Sequence, residues 1–401
     1  MLCPTWRLVA KSLNRYIPND SLMSKVSSNS SEIFERLDRA YQRGFKGKVD
    51  SFAVWLDRLG IDPRLFNFGN AVRLLHENPD STIDREEELA SIVEFIGFYR
   101  KERNALFHLP ILGVPGIGKT HLLNVLVAYL QKKLTDLPWN LADAKSFTLV
   151  EEDSETEPQK FLAFLDELRD NKYQILIIDS CDKDANIDEA MRNISRHFTK
   201  GVLVSAWTQY HWDFFREKVE EAFPTSKQVV VGPFSQAETE HFLVVFLKLV
   251  SHDRFTLKKE LAKQVHEYSG GVPANILKLT FKAFSEAFNK RKKGVDSEAI
   301  KAAARALALD KAKERLARLS DHQLLILKHL LLETDERGIR PSKLVDLLGK
   351  DKATISYHLG ELAKEDWLTS QRIGRWVFYK VRDELAPLVG ARLAEEADFL
   401  G

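Results

Sequence analysis

Between Gly113 and Thr120 the chain reads Gly-Val-Pro-Gly-Ile-Gly-Lys-Thr, with four residues separating Gly113 from Gly118-Lys119-Thr120. Glycines at 113, 116 and 118 let the backbone bend tightly and turn its N–H groups inward, where a polyphosphate can sit against a helix start. Val114, Pro115 and Ile117 complete the loop, and His121 follows it. The Lys119 ammonium would neutralise the outer phosphates, and the Thr120 hydroxyl would ligate Mg²⁺. This spacing fits the P-loop pattern with no mismatch. A glycine turn that merely joins strand to helix would not need all of these positions. Residues 113–121 are therefore expected to bind a nucleoside triphosphate with its Mg²⁺.

A second acidic position belongs with the loop. Tyr173-Gln-Ile-Leu-Ile-Ile-Asp179 is an apolar run closed by a carboxylate roughly sixty residues after Lys119. Such a run reads as a central parallel strand buried on both faces, and Asp179 at its end would hold Mg²⁺ through water. The next residue is Ser180, not the glutamate many ATPases use to polarise water. Asp182 is one substitute, and Glu151 or Glu152, closing a strand expected over Ser146–Val150, is another. Ser205, Thr208 and Gln209 after a later apolar run could sense the terminal phosphate. Arg192, Arg196 and Arg216 could act as arginine fingers, although surface helices carry such charges by default.

These residues need a scaffold. The apolar run Leu109-Pro-Ile-Leu112 leads into the loop and the apolar stretch His121–Leu130 leads out, which gives strand, turn and buried helix. A helix begins near Asp84, which with Glu87 three residues on can cap it. Further helices are expected over 160–170, 187–199 and 236–250, and strands over 201–205 and 229–233. Strands alternating with helices predict a doubly wound parallel α/β fold with its ligand at the strands' carboxyl ends. This domain is placed at 80–252. A helical lid follows at 253–295, interrupted at Gly270-Gly271 and restarted by Pro273 in a helix's first turn. An Ala-rich connecting helix is expected at 296–319. Upstream, residues 1–31 are Ser/Asn-rich at their end and read as disordered, with Met23 a possible true start. Residues 32 to about 65 carry helical periodicity, and 32–75 read as a helical packing or dimerising extension.

The order changes at 320–385. Helices over 324–332, 342–348 and 353–365, a turn at Gly349-Lys-Asp, and β-like runs over 367–372 and 375–381 make a winged helix-turn-helix. Thr354, Ser356, Tyr357 and His358 open the third helix, where a recognition helix faces the major groove, and Arg372 and Arg375 flank the wing. Winged helices also dock proteins, and Asp351, Glu361, Glu365 and Asp366 dilute the positive charge.

Composition narrows the class. Lys+Arg of 59 against Asp+Glu of 58 leaves a net +1 over 401 residues, so any pull towards nucleic acid must be local. The two cysteines, Cys3 and Cys181, form no metal spacing and suit a reducing cytoplasm. No apolar run approaches a membrane span, the densest, Phe242–Phe246, being broken by Lys248.

The layout resembles ATPases of the AAA+ class and the related STAND ATPases, especially archaeal replication initiators of the origin-recognition type. Asp84-Arg-Glu-Glu-Glu-Leu89, Gly113–Thr120, Ile178-Asp179, Pro233-Phe-Ser-Gln-Ala-Glu238, Gly270-Gly-Val-Pro273 and the terminal winged helix carry the resemblance over roughly residues 80–382. It implies ATP as the nucleotide, Ile83 and Arg85 against its adenine, Pro273 in the lid, and double-stranded DNA as the partner. Where the initiators' lid helix holds an arginine, Lys278 is the nearest base, and Ser226-Lys227 is the nearest approach to a Ser-Arg finger. Gly271-Val-Pro273 and Gly232-Pro-Phe-Ser235 lean towards the STAND group. Two readings follow. One is an ATP-switched DNA-binding protein, with Lys119 and Asp179 catalytic alongside Asp182 or Glu151. The other is a nucleotide-sensing regulator or signalling ATPase with little hydrolysis, docking proteins or its own copy through the winged helix or residues 32–75.

Overall fold

The computed structural model describes residues 51–78, 85–102, 105–144, 157–170, 172–183, 186–225 and 227–400, the side chains of 157–162 and 395–400 excepted. Ile83, Asp84, Glu151, Glu152, Ser226, the expected strand Ser146–Val150 and everything before Ser51 lie outside the described residues. The chain divides into two units at Val54/Trp55, and the second holds the sheet, the lid and the terminal module.

Five parallel strands build the central sheet: β1 (Leu106–Leu112), β2 (Trp139–Asp143), β3 (Ile175–Asp179), β4 (Gly201–Trp207) and β5 (Val229–Val230), in the order β2-β3-β4-β1-β5. Continuous apolar runs make β3 and β4 central, since both faces are covered. On one face lie α3 (Glu86–Lys101) and α4 (Lys119–Lys133), which bring Ile92, Phe95, Leu122 and Leu126 into one core cluster. On the other lie α5 (Glu157–Arg169), α6 (Ile187–Ser195) and α7 (Gln209–Ala222), with Leu165, Met191, Ile194, Trp212 and Phe215 in a second. Each such side chain contributes roughly 1.5–3 kcal/mol on burial. The glycine loop leaves β1 and enters α4, so this is the doubly wound P-loop α/β fold.

Two features of the sheet differ from the sequence reading. Strand β2, paired with β3 from Trp139↔Ile175 to Asp143↔Asp179, precedes the segment where a strand was expected. Its residues Trp-Asn-Leu-Ala-Asp mix polar and apolar because it is an edge strand, with Leu141 exposed. Strand β4 continues past Ser205 to Trp207, so Ser205 points inside: His108 Nε2 lies 2.7 Å from its hydroxyl and Trp207 Nε1 donates to it at 2.8 Å. It is therefore no phosphate sensor. The other nitrogen of the fully buried His108 ring lies 3.1 Å from the Phe223 carbonyl.

The lid consists of α8 (Gln236–Ser251), α9 (Lys259–Ser269) and α10 (Pro273–Asn289). Helices α1 (Phe52–Arg58) and α2 (Phe68–Glu77) lead into it. Phe66 between them sits 4.7 Å, ring centre to ring centre, from both Phe281 and Phe284, so the described part of this segment packs on the lid. The Ala-rich stretch is not one connecting helix. It breaks into α11 (Ser297–Ala306) and α12 (Ala312–Leu316), because Ala308 turns left-handed (φ +57°) and lets the buried Leu309 donate back to the Ala304 carbonyl at 2.8 Å.

The terminal module runs α13 (Asp321–Leu332), α14 (Pro341–Leu348), α15 (Lys352–Lys364), β6 (Leu368–Ile373) and β7 (Trp376–Val381), the last two an antiparallel hairpin. Ile339 exchanges both backbone hydrogen bonds with Tyr379 at 2.9 Å, adding a bridge to the hairpin. A helix the sequence reading did not place, α16 (Ala386–Leu400), then packs on α7 and α13.

Burial pushes the pKa of His108 from 6.5 down to about 4. A depressed histidine pKa means that the unfolded chain takes the proton first, so stability is complete above about pH 6.5 and is lost as pH falls towards 4. Urea unfolding at pH 7.5 and pH 5 should differ by roughly 2 kcal/mol from this ring alone; equal stabilities would show that the ring is not held neutral.

Candidate nucleotide site and C-terminal surface

The loop is shaped by its glycines. A Cβ at Gly113 would stand 2.9 Å from both the Ile117 side chain and the Val231 carbonyl. Gly116 and Gly118 adopt φ of +74° and +102°, and the direction a Gly118 side chain would take is open for 4 Å. No side chain caps the start of α4, so its first N–H groups face that space without a partner from a capping residue. Lys119 Nζ donates to the carbonyls of Gly113 (2.8 Å) and Val114 (3.2 Å), folding back over the loop. Burial lowers its pKa, while the Asp182 and Asp179 carboxylates oppose that shift. Thr120 Oγ1 donates to Asp179 Oδ2 at 2.8 Å, and Asp179 Oδ1 accepts from the Ser180 N–H at 2.8 Å. A hydroxyl and a carboxylate thus meet beside an uncapped helix start, as an Mg²⁺–phosphate site requires.

A cavity of about 410 Å³ opens from the loop. Its polar lining includes Lys119, Thr120, Asp179, Asp182, Lys183 and Thr208; its apolar lining includes Phe68, Val72, Leu75, Phe234, Phe242 and Leu277. Arg85 lies at the wall as a strut: it donates to the Gly232 carbonyl at 2.7 Å, pairs with Glu88 at 2.9 Å and stacks over Phe234 at 4.5 Å. His121 stacks on His76 of α2 with ring centres 5.7 Å apart. Burial and the His76 charge push the His121 pKa down to about 4, so the ring is neutral near pH 7. The lid touches the loop directly. Ala274, next to Pro273, donates its N–H to the Gly116 carbonyl at 3.1 Å, and a Cβ at Gly116 would lie 2.7 Å from that of Ala274.

Of the sequence-expected residues, Arg85, Pro115–His121, Asp179, Asp182 and Pro273 line this one cavity, and Gly113 and Val114 form the approach to it. Ile83 and Glu151 lie outside the described residues. The α2 wall was missed: Phe68, Val72, Leu75 and His76 carry a helical spacing that periodicity could have found. Asp143 was missed too. It closes β2 in register with Asp179, so both carboxylates leave the same end of neighbouring strands. Arg192 and Arg216 pair along their own helices with Asp188 and Glu220, and Arg196 reaches Asn193.

On the terminal module, Ser356, Arg372 and Arg375 are exposed, and Tyr357 is 65% exposed. Thr354 is turned to its own helix start, donating to Asp351 at 2.6 Å, and His358 is half-buried with its ring stacked on His322 at 5.8 Å. Arg375 and Arg340 both lie over the Trp376 ring, at 4.7 and 5.0 Å; Arg340 was not foreseen from sequence.

No family model matches this sequence, and no curated protein does. Among solved structures the chain is similar to the ORC1 protein of Aeropyrum pernix in complex with DNA, at 16% identity and a TM-score of 0.44, over 80% of this chain and 94% of that one. It is similar to Cdc6p of Pyrobaculum aerophilum at 12% identity and a TM-score of 0.43, over 78% and 94%. It is also similar to the RuvB Holliday junction branch migration motor of Thermotoga maritima, at 17% identity and a TM-score of 0.39, over 75% and 92%.

Substituting Lys119→Ala should weaken nucleotide binding by on the order of 100-fold or more, because the phosphates lose a charge-assisted partner. Thr120→Val keeps the side chain's shape and removes its oxygen. Nucleotide affinity in that variant should no longer rise on adding Mg²⁺, as read by calorimetry with and without a chelator.

Proposed function

We propose that this chain is an ATP-binding switch of AAA+/STAND type. ATP with Mg²⁺ is held between the α/β domain and the lid, and the terminal module contacts duplex DNA. The observation that carries the reading is the 2.8 Å contact of Thr120 with Asp179 at the uncapped start of α4. Those groups suit Mg²⁺, which would supply charge neutralisation on the phosphate oxygens. Lys119 swings from the loop carbonyls to phosphate, gaining an anion that offsets the cost of its burial. The apolar lining suits a planar base, with Phe68, Phe234 and Phe242 among its side chains. Closure follows from the Ala274–Gly116 bond, because the lid rests on the loop that takes the phosphates.

Turnover needs an acid to orient water, and Ser180 follows Asp179 where a glutamate would serve. Asp182 at the cavity and Asp143 beside Asp179 are the described carboxylates placed for it. Hydrolysis is accordingly slow, and the site acts first as a sensor.

Charge placement favours DNA. Residues 320–385 hold eleven basic and eleven acidic residues. Yet Arg337, Lys343, Lys364, Lys380 and Arg382 are paired with carboxylates. Arg340, Lys350, Lys352, Arg372 and Arg375 have no carboxylate partner among the described residues, and they fall around the α14–α15 turn and the hairpin. The second reading, protein docking, draws on the exposed Leu347, Tyr357, Ile373 and Trp376.

Two measurements decide between these readings. Duplex binding should weaken steeply with salt, and replacing Arg372 and Arg375 by Ala should each lower the salt slope by about one; no binding at low salt would favour docking. In a phosphate-release assay, Asp182→Asn or Asp143→Asn should cut turnover at least ~10-fold with nucleotide affinity retained. Unchanged rates in both would return the role to other acids.

A further inference from the structure

The start of α7 is shared between the nucleotide cavity and the terminal module. Thr208, at the cavity wall, is the residue before α7 and makes no capping hydrogen bond to it; its hydroxyl lies 2.6 Å from His211 Nδ1. Both residues are buried, at 1% and 3% exposed. The other ring nitrogen, Nε2, is buried without a hydrogen-bond partner, and the Leu332 carbonyl lies close enough to the ring to favour its protonated form. Leu332 ends α13, so its carbonyl is one of the helix-terminal acceptors that need an outside donor. Beside His211, the Tyr210 ring packs so closely on Gly390 of α16 that a Cβ there would stand 3.1 Å from it. Across the cleft the same module grips the lid: Asn275 Nδ2 donates to the Glu384 carbonyl at 2.9 Å, and Lys278 pairs with the Glu384 carboxylate at 3.0 Å. The module therefore touches both walls of the nucleotide cleft.

We propose that His211 is a positioning residue that converts occupancy of the outer phosphate position into release of the terminal module, through a change of imidazole tautomer. The proposal rests on the nucleotide reading of the cavity. Without nucleotide, Thr208 donates its proton to Nδ1. The neutral ring then carries its hydrogen on Nε2, aimed at the Leu332 carbonyl, an attraction that favours docking. A phosphate oxygen is an acceptor only and draws the Thr208 hydroxyl proton as the stronger, charge-assisted bond. Thr208 can then only accept from the ring, which requires the hydrogen on Nδ1. One proton leaves Nε2 and one arrives at Nδ1 by exchange with solvent, and the ring stays neutral, as burial dictates. Nε2 now turns a lone pair towards the Leu332 oxygen, and the docked arrangement loses its donor on the α7 side. Only a ligand that reaches Thr208 has this differential effect, so ATP is distinguished from ADP.

The test uses the full chain labelled with ¹⁵N-histidine. A non-hydrolysable ATP analogue with Mg²⁺ should move the His211 nitrogens from the Nε2–H to the Nδ1–H pattern, and ADP should not. In parallel, backbone hydrogen exchange across α13 and α16 should speed up with the analogue. In His211→Gln, which keeps a donor for Leu332 and cannot change tautomer, the analogue should bind within ~2-fold of wild type while exchange in α16 stays at its resting rate. An unchanged nitrogen pattern in saturated wild-type protein would overturn the relay, and so would a His211→Gln chain that responds as wild type does. Wild-type protein that binds no nucleotide would remove the reading of the cavity and the relay with it. If the variant does not fold, the nitrogen spectrum of the wild type decides alone.

Discussion

An ammonium group folded over a loop, next to a helix start with no capping side chain, is the condition on which the rest of this structure depends. Lys119 donates to two backbone carbonyls, and burial disfavours its charge although the Asp182 and Asp179 carboxylates support it. The first N–H groups of α4 add positive potential at the same spot. An anion in that space would be attracted by both groups. The sheet, the lid and the wall from α2 converge on the cavity that opens from this point.

The cavity couples parts of the chain that are remote in sequence. The lid bonds to the loop through Ala274 and Gly116, and its Gly271 (φ +74°) comes so near Phe234 that a Cβ would collide with that carbonyl. Arg85 ties the start of α3 to the backbone at Gly232. None of these contacts leaves slack, so a shift in one wall is passed to the next as packing rather than absorbed by a loop.

What could be read from sequence was what short-range rules govern. The glycine spacing, the strand ending in Asp179 and the proline opening α10 each carry their physics locally, and they stand at a loop, a strand end and a helix start in the structure. Elements whose character depends on distant neighbours were not legible. β2 has too few residues and too mixed a pattern to declare itself until β3 lies beside it. Ser205 looked like the end of a strand because the run after it, Ala-Trp, could not be seen to pair with Ile111 and Leu112. The Ala-rich stretch has helix propensity throughout, and only tertiary packing of Leu309 explains its break. Of the expected DNA contacts, Thr354 and His358 have the right spacing but are held by Asp351 and His322, partners that spacing alone does not reveal.

The aromatic seam between Phe66 and the lid has a practical meaning for anyone dividing this chain. Phe246, Phe281 and Phe284 are covered by Phe66, and Trp55 lies against Phe284 and Phe288. A cut at residue 80, where motif spacing alone would draw the boundary, strips that cover and also removes Phe68 and Val72 from the wall of the cavity. The fragment would carry a fresh oily face on its lid. Its tendency to clump would be a property of the scissors and not of the protein.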